Sequence, residues 1–178
     1  MVSSQWQGGV LRPPCQIILM ENEMKLLHSL ALNIGLLVGV WVYISVGYPE
    51  LNLSPWIGFV AWASFFAAGG ASDGAKKSLA AGIVAILLTA LTLYCVQLMG
   101  NGLMEMVVFI AILGFLLVAM GEVPILAFTP AAFLGAASFF GTGGNINISI
   151  LYVLLSWVAG IGLGFISEDM AKRMAKVA

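Results

Sequence analysis

Few side chains in this sequence could take part in bond-making chemistry, and none stand at spacings that let them act together. His28 is the single histidine, with no CxxC or HxxxH pattern near it. The two cysteines, Cys15 and Cys95, lie one in the N-terminal segment and one inside an apolar run. That placement argues against a disulfide framework or a zinc site. No stretch resembles a Walker loop, a nucleophile elbow or a metal box. The expectation is a protein without catalytic residues, metal or cofactor, and not an enzyme. Within the apolar runs the polar residues include Asn33, Thr89, Thr92, Gln97, Thr129 and Ser156, with Glu105 and Glu122 near run ends. No run carries Asp, Glu, Lys or Arg at its centre. Proton-coupled pumps and voltage sensors depend on such buried charges, so neither mechanism has its parts.

A duplicated motif is more informative. Ala63-Ser64-Phe65-Phe66 is followed after two residues by Gly69-Gly70, and Ala137-Ser138-Phe139-Phe140 by Gly143-Gly144. The copies lie 74 residues apart (137 − 63), and Pro55 and Pro130 precede them one residue out of that register. Small residues let helices approach closely in lipid. Gly69, Gly70, Gly143 and Gly144 are therefore candidate sites of close helix contact. Gly35xxxGly39 and Gly160xxxGly164 are further small-residue faces. Two roles remain open for the motif. It could mark two central scaffold helices. Alternatively, Phe65, Phe66, Phe139 and Phe140 form a paired hydrophobic constriction, with Ser64 and Ser138 as hydrogen-bonding groups beside it.

Composition tells what must position these residues. Of 178 residues, 61% are apolar and 8% charged, and mean hydropathy is +1.06. Soluble domains carry about 25% charged residues, so a water-facing surface cannot be built and a soluble enzyme is excluded. The net charge of −1 offers nothing to a nucleic acid. A polytopic membrane protein in a lipid bilayer remains.

A helix crosses the hydrocarbon core with about 17–25 apolar residues. Six runs are candidates: Leu26–Val46, Pro55–Ala68, Ser78–Met99, Leu103–Met120, Ile125–Phe140 and Ile148–Ile166. The second and fifth are short enough to be re-entrant instead. Charge favours six crossings. Arg12, Lys25, Lys76, Lys77, Lys172, Arg173 and Lys176 then all share one side, which the positive-inside rule makes cytoplasmic along with both termini. The loops at Glu50 and Asn145 face outward. Residues 1–23 have no helical period and no signal-peptide pattern. They are expected to be a loose tail, or to precede a functional start at Met24.

The 74-residue offset lays the first run over the fourth and the third over the sixth. The chain then reads as two three-helix units, residues 24–99 and 100–178, the second ending in a short basic tail. A unit with an odd number of crossings is followed by a copy that enters from the opposite side. The expected architecture is all-α: six transmembrane helices as two inverted three-helix repeats.

The sequence also resembles the YcdZ-like bacterial inner-membrane family, catalogued as domain of unknown function 1097. The resemblance rests on Met24-Lys25-Leu26-Leu27, Gly35 to Trp41, Trp56-Ile57-Gly58-Phe59 and Phe65-Phe66 with the following glycines. It continues through Phe128 to Ala136, Phe139, Gly143 and Gly162 to Phe165, covering about residues 24–170. It implies a protein of the bacterial cytoplasmic membrane and brings no activity or site residue. On the residues themselves, the leading expectation is a passive channel or facilitator for a small neutral solute. The alternative is a structural or interaction membrane protein without a permeant. A homo-oligomer is compatible with either.

Overall fold

The computed structural model describes residues 14–177, with side chains described for 26–174. Among these residues all regular structure is helical. In chain order the helices are α1 (Pro14–Gly47), α2 (Pro55–Ala67), α3 (Ala71–Leu98), α4 (Leu103–Ala119), α5 (Thr129–Phe140) and α6 (Ser149–Val177). Residues 1–13 of the expected tail lie outside the described residues. Residues 14–23 are in α1, so helix starts earlier than the sequence reading placed it. Pro14 supplies the fixed φ of a first helical position, and helix propensity carries the backbone onward without any amphipathic period.

Four helices hold segments long and apolar enough to cross a membrane: Leu26–Gly47, Ala71–Leu98, Leu103–Glu122 and Ser149–Met174. The other two are short. α2 has 13 residues and α5 has 12, a rise of about 18–20 Å against a hydrocarbon core of about 30 Å. Prolines set their starts and glycine-rich turns follow. Each is also preceded by a 3₁₀ turn opened by proline, Pro49–Leu51 and Pro124–Leu126, and a further one, Met120–Glu122, ends α4. The two proline turns, like Pro55 and Pro130, are 75 residues apart (124 − 49).

Successive helices run between two ends of the bundle. At one end the α3 N-terminus meets α6, where the backbone N–H of Ala71 donates to Glu168 Oε2 at 2.6 Å. The start of the described α1 side chains is there too, since Leu26 and Leu30 share a cleft with Phe66, Gly69, Glu168 and Ala171. This end carries Lys76, Lys77, Lys172 and Arg173, and we call it the basic end. Lys77 pairs with Asp73 at 2.7 Å, Arg173 with Asp169 at 2.8 Å, and Lys172 with Glu168. At the far end Trp41 of α1 donates from Nε1 to the carbonyl of Pro55 at 2.9 Å, as the chain turns into α2.

The helices are exchanged between the halves. α2 packs chiefly on α6 and α5 chiefly on α3, while α1 lies on α6 and α4 on α3. One buried cluster joins the halves, holding Ile57, Ala61, Phe65, Ala81, Ile86, Phe139, Val153 and Trp157. α1 and α4 stay at the periphery, with Leu36, Tyr43, Leu103 and Phe115 exposed.

Candidate functional site

Backbone approach between the exchanged helices defines the centre. A Cβ on Gly135 of α5 would lie 2.6 Å from the carbonyl oxygen of Gly82 and 2.9 Å from its Cα. A Cβ on Gly160 of α6 would meet the Gly58 carbonyl and lie 2.8 Å from the Ala61 methyl. Only glycine at these points lets the helices touch backbone to backbone, the close contact that drives association in lipid. The indole of Trp157 fills the space over Gly82 and donates from Nε1 to the Ser78 carbonyl at 3.3 Å. Trp41 covers Gly58 in the same way. Trp62 lies against Gly164 and donates to Ser167 Oγ at 3.2 Å.

The register of the third helices differs from the 74-residue offset. α3 and α6 begin 78 residues apart (149 − 71), which aligns Ser78 with Ser156 and Gly82 with Gly160. The cause is the turn before each. Residues 68–70 suffice between α2 and α3, whereas residues 141–148 separate α5 from α6.

The two copies of the motif occupy corresponding places at the ends of α2 and α5. Ser64 and Phe65 are buried, as are Ser138 and Phe139, while Phe66 is half-buried and Phe140 exposed. Phe65 and Phe139 belong to the joint core. Phe65 makes edge contacts with Phe66 at 5.1 Å and with Phe165 at 6.4 Å between ring centroids. Phe66 lines the cleft at the basic end. Phe140 lines an apolar groove with Ile110, Leu113, Gly114, Leu117 and Phe133. The ring contacts of the first copy therefore stay within α2 and α6, and Phe66 and Phe140 face different clefts. Within the first copy the directions differ too: Phe65 lies against Gly164 of α6, while Ser64 meets Ser78 of α3.

The glycine pairs divide their work. Gly69 (φ +95°) has open space where a Cβ would go, and at Gly143 (φ +81°) only the Asn145 amide lies near, at 3.5 Å. Their role is left-handed backbone, in place of the close helix contact expected from the sequence. Gly70 and Gly144 need both freedom and space. A Cβ would lie 2.7 Å from Glu168 Oε2 at the first and 2.5 Å from Leu93 Cδ1 at the second.

The serines complete the site. Ser64 Oγ donates to Ser78 Oγ at 3.0 Å, and Ser78 Oγ donates to the Ser64 carbonyl at 2.9 Å. Ser156 Oγ donates to the Tyr152 carbonyl at 2.8 Å and accepts the Ser54 N–H at 2.9 Å. Ser138 Oγ is fully buried without a hydrogen-bond partner. Asn33 bridges α1 to α6 through Met174 Sδ at 3.4 Å, as an intramembrane amide is expected to. Thr89 and Thr92 instead bond carbonyls of their own helix, Ala85 and Leu88. Sequence reasoning missed Trp157, Gly58, Gly82, Gly135 and Glu168. Glycines inside apolar helices were the available signal for three of them.

Residues 31–172 match the family described as Protein of unknown function (DUF1097). The chain belongs to the DUF1097 family. It is 32% identical over 161 residues to "Uncharacterized protein YahC" of Escherichia coli (strain K12), covering 86% of this chain and 95% of that protein. It is 28% identical over 160 residues to "Inner membrane protein YcdZ" of the same strain, covering 87% and 94%. It is 27% identical over 145 residues to the YcdZ protein of Salmonella typhimurium (strain LT2), covering 79% and 86%. No solved structure matches the chain. Membership of DUF1097, relatives named as inner-membrane proteins and four long apolar helices identify a multi-pass protein of the bacterial inner membrane.

Proposed function

We propose that this DUF1097 protein is a six-crossing facilitator for a small neutral solute, built from two inverted three-helix units. The exchange of short helices carries the reading: α2 lies on α6 as α5 lies on α3, with Ala61 against Gly160 and Gly135 against Gly82. The Ala61–Gly160 and Gly135–Gly82 contacts are equivalent under an offset of 74 within the short helices and 78 within the long ones. A chain alternating between two ends of the bundle, with an odd number of helices per unit, relates its halves by a twofold axis in the membrane plane. In such proteins the solute path runs where the halves meet. α2 and α5 cross together with their flanking 3₁₀ turns and glycine turns, which lengthen each beyond its helix. The basic end supports a cytoplasmic placement of both termini. The outer faces of α1 and α4 meet lipid or a second copy of the chain.

The close contact at the centre favours a path that opens by rearrangement over a standing pore. It is also what a structural membrane protein without a permeant would have, and that is the second reading. Liposome flux over a panel of small neutral solutes separates the two. Saturable flux of any one of them, absent from empty liposomes, supports the facilitator. No flux across the panel, with a folded protein in the membrane, supports the structural role. The proposal includes no catalysis and no cofactor.

A further inference from the structure

Corresponding parts of the two halves are not in the same state. On the basic side a cleft of about 460 Å³ lies between the end of α2, the start of α3 and the chain leading into α5. Its walls are Ala67, Ala68, Lys77, Pro124, Ala127 and Phe128. Under the repeat offsets, the counterpart on the far side lies among Gly141, Thr142, Leu155 and the chain from Pro49 to Ser54. There Trp56 lies against Gly141, so that a Cβ on the glycine would come 2.5 Å from Cη2 of the indole. The position corresponding to Trp56 on the basic side is Pro130, 74 residues on (56 + 74), whose ring is much smaller than an indole.

A hydrogen bond differs in the same sense. On the far side the Ser54 N–H, at the start of α2, donates to Ser156 Oγ of α6 at 2.9 Å. Its counterpart would join the Phe128 N–H, at the start of α5, to Ser78 Oγ of α3. That bond is not made. Ser78 Oγ instead accepts from Ser64 Oγ at 3.0 Å and donates to the Ser64 carbonyl at 2.9 Å. One latch is closed and its twin is open, and the cleft lies beside the open one.

We propose that the basic-side cleft is the solute vestibule, that Trp56 and the Ser54–Ser156 hydrogen bond form the closed far-side gate, and that transport exchanges the two latches. This inference rests on the six-crossing reading above. In the opposite state Ser156 releases Ser54 and Ser78 takes the Phe128 N–H. Two arrangements related by a pseudo-twofold axis then expose the path to either side in turn. The lining selects the solute class. The single charge in the wall, Lys77, is already neutralised by Asp73 at 2.7 Å, and the remainder is methyl, proline and phenyl surface. The vestibule therefore suits a small neutral solute and gives no net attraction to an ion.

The test uses the full chain in liposomes with Cys15 and Cys95 replaced by serine. A single cysteine is introduced at Ala127, in the cleft, or at Thr142, beyond the gate, and labelled with a membrane-impermeant maleimide from each side. Ala127→Cys is expected to react from the side that carries Lys172, and Thr142→Cys to react slowly from the other. Ser156→Ala or Trp56→Ala should then raise the Thr142→Cys rate about five- to tenfold, the shift that one lost hydrogen bond or a comparable contact produces in a two-state population. Pro130→Trp should protect Ala127→Cys, and elution profile and helicity confirm folding of each variant. Reaction of both positions from the same side overturns the six-crossing reading, and this proposal with it. Reaction from opposite sides, with rates unmoved by Ser156→Ala, Trp56→Ala and Pro130→Trp, overturns the gate alone.

Discussion

Gly135→Ala is the smallest change that tests whether the exchanged helices hold the fold. The new methyl carbon would lie 2.6 Å from the Gly82 carbonyl oxygen and 2.9 Å from its Cα. Ordinary carbon contacts begin at about 3.5 Å, so α5 and α3 must separate by about 1 Å. The obstacle is backbone on both sides, and no rotamer relieves it. Overpacking of this kind costs about 1–3 kcal/mol. Against it stands the helix preference for alanine over glycine, up to about 1 kcal/mol. The net expectation is a loss of about 1–2 kcal/mol. Gly114→Ala in α4 isolates the opposing term, because nothing lies within 4 Å of the added carbon. It should leave stability unchanged or raise it by up to about 1 kcal/mol. Thermal melting in detergent measures both, and 1 kcal/mol corresponds to about 2–4 °C at this chain length. The two variants should therefore differ in sign. A Gly135→Ala protein as stable as Gly114→Ala would refute the backbone contact, and with it the seating of α5 on α3.

The aromatic motif should split by burial. Phe65→Ala, from a fully buried ring, should cost about 3–5 kcal/mol, whereas Phe140→Ala, from an exposed one, should cost much less. Equal losses on melting would contradict the placement of the two rings. Gly69→Leu meets no atom within 4 Å but forces a branched side chain to φ +95°. A loss of about 1–2 kcal/mol is expected, and no loss would mean that the turn relaxes. Gly70→Ala adds a clash with Glu168 to the same strain. Its melting temperature should recover in part when Glu168 is shortened to Asp, and an unchanged double variant would remove Glu168 from the account. Single cysteines at Lys76 and Lys172 should label from one and the same face of the membrane. Labelling from opposite faces would mean that α5 does not cross.

Much of this architecture is legible in the sequence because the solvent is a bilayer. Apolar length identifies α1, α3, α4 and α6, and the same criterion makes α2 and α5 too short to decide. The repeated Ala-Ser-Phe-Phe and Gly-Gly pairs mark corresponding ends of α2 and α5, and the structure puts them there. What repetition cannot convey is the neighbour. Gly82 and Gly135 lie in different halves, and nothing local to either says that their backbones touch. Partner choice comes from the fit of small faces, and Gly35xxxGly39 and Gly160xxxGly164 look alike as strings. The second is covered by Gly58, Ala61, Trp62 and Phe65, and the first has nothing within 4 Å of either glycine. The offset of 78 between the long helices is hidden for a similar reason. The extra residues sit in the turn at 141–148, where no apolar period registers them.

The two turns after the motif show how a duplicated unit takes on different ends. Both run through consecutive glycines at positive φ, and Ala71 follows the first pair at φ +52°. At the basic end the Glu168 carboxylate accepts the Ala71 N–H at the opening of α3 and pairs with Lys172. A carboxylate there is favoured by the unsatisfied N–H groups and positive pole of the helix terminus. At the far end the corresponding space beside Gly144 holds the side chain of Leu93. A charged tie of this kind is tolerable where water reaches it and costly where hydrocarbon does. The basic end is thus the end built to lie at an aqueous interface with its charges paired, and it is the end where the open cleft lies. The far end, closed by an indole and a leucine, keeps the same backbone turn with apolar cover.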